Sequence, residues 1–166
     1  MKYLTALFAV LLFIAPLHAD DDREHAALAS VTVATNLQAD GEIARKGRKA
    51  LLLLVSREEC SYCIQIKREV IGPMLRSGDY DDRLLIRELR LDGVSTVIDF
   101  QGVARDSHNV AYDYKASVTP TLLFLDADGK ELTAKMVGIQ TPDMYYYYVD
   151  QSIQEAIEAL DSRTEQ

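Results

Sequence analysis

The sequence predicts a single α/β domain, a central sheet flanked by helices. Three observations carry that reading. The run Ala50-Leu51-Leu52-Leu53-Leu54-Val55 is continuously apolar and bounded by charge, as a strand buried on both faces requires. Thr121 to Leu125 repeats the pattern. Apolar residues also return at helical spacing, at Cys63, Ile66, Val70 and Met74 and again at Val149, Ile153, Ala156 and Leu160. With 166 residues, 48% hydrophobic and 27% charged, the chain has the length and composition of one folded domain. Such a chain buries a core without disulfide staples.

The N-terminus stands apart from that domain. Lys2 precedes an apolar run from Leu4 to Ala15, Pro16 breaks it, and Ala19 comes just before Asp20-Asp21-Asp22. This is the order of an export signal cleaved near Ala19. The run is shorter than the ~20 apolar residues of a spanning helix, so no stable membrane insertion is expected after cleavage. Residues 20–35 read as a flexible leader and residues 36–162 as the domain.

The domain's elements follow in order. Asn36 caps a short helix with Leu37, Ile43 and Ala44, ended by Gly47 among Lys46, Arg48 and Lys49. The first strand comes next, and a loop, Ser56-Arg57-Glu58-Glu59, leads to Cys60, where a helix opens. Gly72-Pro73 is expected to kink or break that helix. Leu84 to Leu91 reads as a strand. Residues 92–106 read as an irregular insertion with an extended piece at Thr96 to Phe100, and His108 to Lys115 as a short helix. After the second buried strand, Asp126-Ala127-Asp128-Gly129 is a turn, and Lys130 to Val137 returns as its hairpin partner. Thr141 as cap and Pro142 at the first helical position start the last helix.

Charge and cysteine count narrow the function. A formal charge of −8 repels phosphate backbones and anionic lipid surfaces, so nucleic acid is not an expected partner. The two cysteines are spaced Cys60-Ser61-Tyr62-Cys63. A bridge across two residues closes almost no loop, so the entropic argument for a structural staple is weak and reactivity is the better explanation. A zinc site needs about four ligands, and assembling them would require His25 from the leader as well as His108. Covalent haem needs a histidine after the second cysteine, where Ile64 stands. No metal or cofactor is expected, and neither histidine is expected to be catalytic.

A buried strand followed by Cys60-Ser61-Tyr62-Cys63 at a helix start, then Val118-Thr119-Pro120-Thr121 entering a second strand, an Asp-Gly turn, Gly138 and a closing helix resemble the thioredoxin superfamily. More narrowly, the Cys-x-Tyr-Cys pattern is similar to exported, periplasmic thioredoxin-like proteins, including those associated with sulfur oxidation. The resemblance implies a thioredoxin fold with a mixed sheet and an insertion between the cysteine helix and the Thr-Pro strand. It also implies a cis Thr119–Pro120 peptide facing the cysteines. A substrate strand would pair with Thr119 there by β-augmentation. Ser61 and Tyr62 would adjoin the substrate. Two departures stand out: Glu59 replaces the tryptophan usual before the first cysteine, and Leu54 stands where thioredoxins bury an acid.

The implied chemistry is thiol–disulfide exchange in the periplasm. A helix start favours the Cys60 thiolate as the attacking group, and Cys63, one turn inside, resolves the mixed disulfide. Glu58 and Glu59 oppose that effect, so a milder activation of Cys60 than in the strongest oxidants is expected. Substrates would be disulfide-bearing exported proteins or small thiol compounds, with a membrane protein as electron donor or acceptor. Electron direction stays open. Reduction is the leading reading. Oxidation or isomerisation by the same cysteines, or a redox-inert binding module, are the alternatives.

Overall fold

A computed structural model describes residues 31–93 and 96–164. The expected signal at residues 1–19 and the leader up to residue 30 lie outside these described residues. In chain order the elements are α1 (Leu37–Gly47), β1 (Ala50–Ser56), α2 (Ser61–Ile66), a π-helical turn (Lys67–Ile71), α3 (Gly72–Ser77), β2 (Leu84–Arg90), β3 (Thr96–Ile98), β4 (Ala104–Asp106), α4 (Ser107–Asp113), β5 (Thr121–Leu125), β6 (Met136–Val137), a 3-10 turn (Pro142–Met144) and α5 (Tyr145–Thr164).

β1 is central because every residue of it is buried and none needs solvent. It pairs parallel with β2 and antiparallel with β5, and β6 joins the far side of β5, giving a mixed sheet of order β2-β1-β5-β6. Alternation along β1 divides the core into two layers. Leu52 and Leu54 pack with Ile66, Val70 and Met74 of the cysteine-bearing helix and with Val149, Ile153 and Ala156 of α5. Leu51, Leu53 and Val55 pack with Leu37 of α1 and Val110 and Ala111 of α4. Fully burying each of these Leu, Ile, Val and Met side chains contributes roughly 2 kcal/mol.

Several expectations change in detail. Gly72-Pro73 does not break the cysteine-bearing helix. Residues 61–77 form one helical rod, with Ile66, Lys67, Ile71 and Gly72 at its internal junctions all in the right-handed region, and the π turn takes up the disturbance. Widening the turn moves the upstream carbonyls away from their α-helical places, where the proline ring would strike one and leave it without a donor. A Cβ on Gly72 would come within 2.8 Å of the Lys67 carbonyl oxygen, so the wide turn needs glycine there.

The leader does not stay loose to residue 35. Val31 and Ala34 are buried, and residues 32–34 run beside β2, with Ala34 N–H donating to the Glu88 carbonyl at 2.8 Å and Glu88 N–H to the Thr32 carbonyl at 2.9 Å. The insertion is more ordered than expected too: β3 and β4 pair antiparallel as a second small sheet.

The hairpin return is shorter than the run of Lys130 to Val137. Only Met136 and Val137 form a strand, with a single bridge from Glu131 to Leu125. The turn itself is built by Asp126, whose Oδ1 accepts from the N–H groups of Asp128 and Lys130, each at 2.9 Å. Thr141 makes no side-chain cap. Its carbonyl accepts from Met144 N–H in the 3-10 turn, and α5 begins at Tyr145.

Candidate active site

The site grows from the C-terminal end of β1. Val55 is paired with Thr121 and Ser56 with Arg90, so the loop leaving β1 and the start of β5 share one end of the sheet. The loop is held from both sides. Glu58 N–H donates to the Asp92 carboxylate, and Arg90 donates to the Glu58 carboxylate at 2.9 Å. Asp92 belongs to the insertion, which thus anchors the approach to Cys60. Glu58 is engaged by Arg90, while Glu59 is exposed.

Cys60 is the N-cap of α2, in an extended conformation, and its sulfur accepts from Cys63 N–H at 3.2 Å. A thiol sulfur does here what a serine oxygen commonly does at a helix start. Cys60 and Cys63 are joined as a disulfide, with S–S 2.12 Å and Cα–Cα 5.2 Å. Cys63 is completely buried (0% exposed) and Cys60 half-buried. A visiting group therefore reaches Cys60 first. Ser61 and Tyr62 are exposed, Tyr62 to 59%.

At the head of β5 the Thr119–Pro120 bond is cis, as the resemblance implies. Pro120 is buried, Thr119 half-buried and Val118 59% exposed. Thr121 Oγ1 donates to the Val118 carbonyl at 2.7 Å, and the Pro120 carbonyl accepts from Gly138 N–H at 2.8 Å. Among the described residues, the N–H and carbonyl of Thr119 have no hydrogen-bond partner.

One feature of the site escapes sequence reasoning. Leu54 is completely buried, and the register places Glu88 beside it on β2. Glu88 is 4% exposed, accepts from Ser56 Oγ at 2.5 Å and from Lys67 Nζ at 2.9 Å. Lys67 follows Cys63 by one helical turn, its N–H donating to the Cys63 carbonyl. The only available signal was that Glu88 falls in phase with Leu84 and Ile86 on the apolar face of β2.

Other charges on the cysteine-bearing helix face outward. The Arg68 guanidinium, followed by Gln65, holds the Glu69 carboxyl below its ordinary range. Behind the helix, burial pushes the Tyr145 phenol up to about 12, and burial with a 2.5 Å hydrogen bond to Asp150 raises that of Tyr80. Both phenols are neutral at neutral pH; the Tyr80 hydroxyl donates to Asp150, whereas the buried Tyr145 hydroxyl has no hydrogen-bond partner among the described residues. Among the described residues no cluster of His, Cys, Asp and Glu has the makings of a metal site, and no helix is long and apolar enough to cross a membrane.

A family model described as a thioredoxin-like domain matches residues 37–153. No curated protein matches the chain. Among solved structures the chain is similar to oxidised thioredoxin O2 from Arabidopsis thaliana, with 20% identity and TM-score 0.52 over 75% of this chain and 95% of that one. It is also similar to a DsbH oxidoreductase, with 17% identity and TM-score 0.56 over 75% and 86% of the two chains. A third likeness is a thioredoxin-fold protein from Helicobacter pylori, with 16% identity and TM-score 0.55 over 87% and 99%. These likenesses show the thioredoxin fold.

Proposed function

The chain belongs to the thioredoxin-like domain family, and on that premise we propose that it reduces disulfides in exported proteins or small sulfur compounds through Cys60 and Cys63. With this cysteine pair joined at a helix start, the protein is a thiol–disulfide oxidoreductase. The observation that carries the reading is the asymmetry of exposure: Cys60 half-buried at the surface, Cys63 fully buried behind it.

The chemistry follows from that asymmetry. In the reduced protein the Cys60 thiolate attacks a substrate disulfide, forming a mixed disulfide and releasing one substrate thiolate. Cys63, once deprotonated, attacks Cys60 sulfur, closes the protein disulfide and releases the second substrate thiol. Two electrons pass to the substrate. A thiol donor returns them, and a membrane protein is the proposed source. The unpartnered backbone of Thr119 supports docking of the substrate as an extended strand beside the sulfurs. The signal-like order of residues 1–19 supports a periplasmic setting.

The test combines trapping and equilibrium. Cys63→Ser should accumulate mixed disulfides with substrate, and Cys60→Ser should lose exchange by about a thousandfold or more, because the remaining thiol is buried. Equilibration of the wild-type pair against glutathione should give a potential near roughly −270 mV, the range of a reductant. A value near about −120 mV would turn the reading to an oxidase.

A further inference from the structure

A groove of about 460 Å³ runs along the side of the domain, and exchange as described above does not use it. One wall is the segment around β6, with Met136, Val137 and Gly138. The other is a face of α5, where Tyr145, Tyr148, Ser152 and Glu155 recur at helical spacing. From Tyr145 to Glu155 that face is about 15 Å long. An extended chain rises about 3.3 Å per residue, so the groove matches about four or five residues of one.

Its chemistry suits a polypeptide. The charged groups in its walls are engaged, Lys135 with Glu131 at 3.3 Å and Glu155 with Thr133 at 3.1 Å. What remains is neutral: aromatic rings and a thioether beside amides and hydroxyls, a lining for apolar side chains and peptide groups together. Tyr145 adds a specific signal. Its side chain is 5% exposed, and its hydroxyl has no hydrogen-bond partner among the described residues. Burying a hydroxyl unpaired is unfavourable, and a peptide carbonyl is the acceptor it lacks. The groove also begins where a substrate is already held. Gly138 N–H donates to the Pro120 carbonyl at 2.8 Å, and Thr119 beside it has the unpartnered backbone that receives a substrate strand. A chain pairing with Thr119 continues past Gly138 into the groove.

We propose that the groove between β6 and α5 binds the chain that flanks the reacting cysteine of a polypeptide substrate, so that extended polypeptides are preferred over small thiol compounds. The proposal rests on the exchange function above and chooses between its two substrate classes. Glutathione has one residue on each side of its cysteine and cannot hold Cys60 and fill the groove at once. A longer chain does both. Tyr145 and Tyr148 bind and position that chain, and they take no part in the exchange of bonds.

The experiment measures how fast the reduced protein, as wild type, Tyr148→Ser and Tyr145→Phe, reduces two disulfide-linked peptide dimers. One dimer carries about five neutral, partly apolar residues on each side of its cysteine, and the other about one. Each reaction breaks the peptide disulfide, closes the Cys60–Cys63 bond and releases two peptide thiols, with two electrons passing to the peptides. Wild type should favour the long dimer by about tenfold or more. Tyr148→Ser should cut that preference by about threefold or more, and Tyr145→Phe by about two- to tenfold. Rates with the short dimer should stay within about twofold. A merely structural Tyr145 would behave otherwise: losing an unpaired hydroxyl would hold or raise the melting temperature and leave the preference alone. Equal wild-type rates for the two dimers, a preference that survives both variants, or an equal fall with both dimers overturns the proposal. Should Tyr145→Phe not fold, the exposed Tyr148 decides through Tyr148→Ser. Dimerisation of the protein that Tyr148→Ser abolishes would give the groove to a second copy and overturn the proposal too. A reduced protein inert to both peptides and to glutathione disulfide would instead remove the exchange function itself.

Discussion

Single residues in this protein differ in worth according to where their charges lie. Arg87 donates to Asp40 at 2.7 Å, with side chains 16% and 10% exposed. Arg90 donates to Glu58 at 2.9 Å, but that partner is 77% exposed. Removing one member of a buried pair leaves an uncompensated charge and costs about 3–5 kcal/mol, whereas an exposed pair is worth about 0–1 kcal/mol. Urea unfolding of Arg87→Ala should therefore show a loss of about 3 kcal/mol or more, and Arg90→Ala less than about 1 kcal/mol. Similar losses in the two variants would refute the distinction. The cysteines and Thr119–Pro120 were legible at this scale because their motif lies in consecutive letters. The Lys67–Glu88 pair was not, because its partners sit 21 residues apart and meet only through the register of β2 on β1.

At the scale of elements, the sequence spoke clearly where one residue's chemistry decides the local structure. Asn36 does cap α1, its Oδ1 accepting from Ala39 N–H at 2.9 Å. The buried runs became β1 and β5 because they offer water nothing. Reading failed where two local signals compete. Gly72-Pro73 spells a break, yet Val70, Ile71 and Met74 are all buried against the sheet, and ending the rod would strip them of that packing. The π turn resolves the conflict, and Gly72 is its test. In an ordinary helix interior, glycine to alanine stabilises by up to about 1 kcal/mol. Here the new Cβ would meet the Lys67 carbonyl at 2.8 Å, a backbone atom unable to swing aside. Gly72→Ala should thus destabilise, by about 1–2 kcal/mol. A rise in thermal midpoint for that variant would mean that the wide turn does not need its glycine.

Across the whole molecule, the sheet's two edges are treated differently. β6, at one edge, is only two residues long, and a short edge strand limits unwanted pairing. β2, at the other, is longer and is partly covered by residues 32–34. Sequence reading assigned those residues to the leader because Val31-Thr32-Val33-Ala34 is too brief to show a period, and one-sided pairing leaves no pattern. Their cover nonetheless has energetic weight. It buries Val31 and Ala34 and satisfies the Glu88 backbone through two hydrogen bonds. Burying a valine contributes roughly 1.5–3 kcal/mol and each hydrogen bond about 0.5–1.5 kcal/mol. A chain beginning at Asn36 should therefore be about 2.5–6 kcal/mol less stable in urea than one beginning at Val31. Equal stability of the two truncations would mean that the domain is complete without the covering strand.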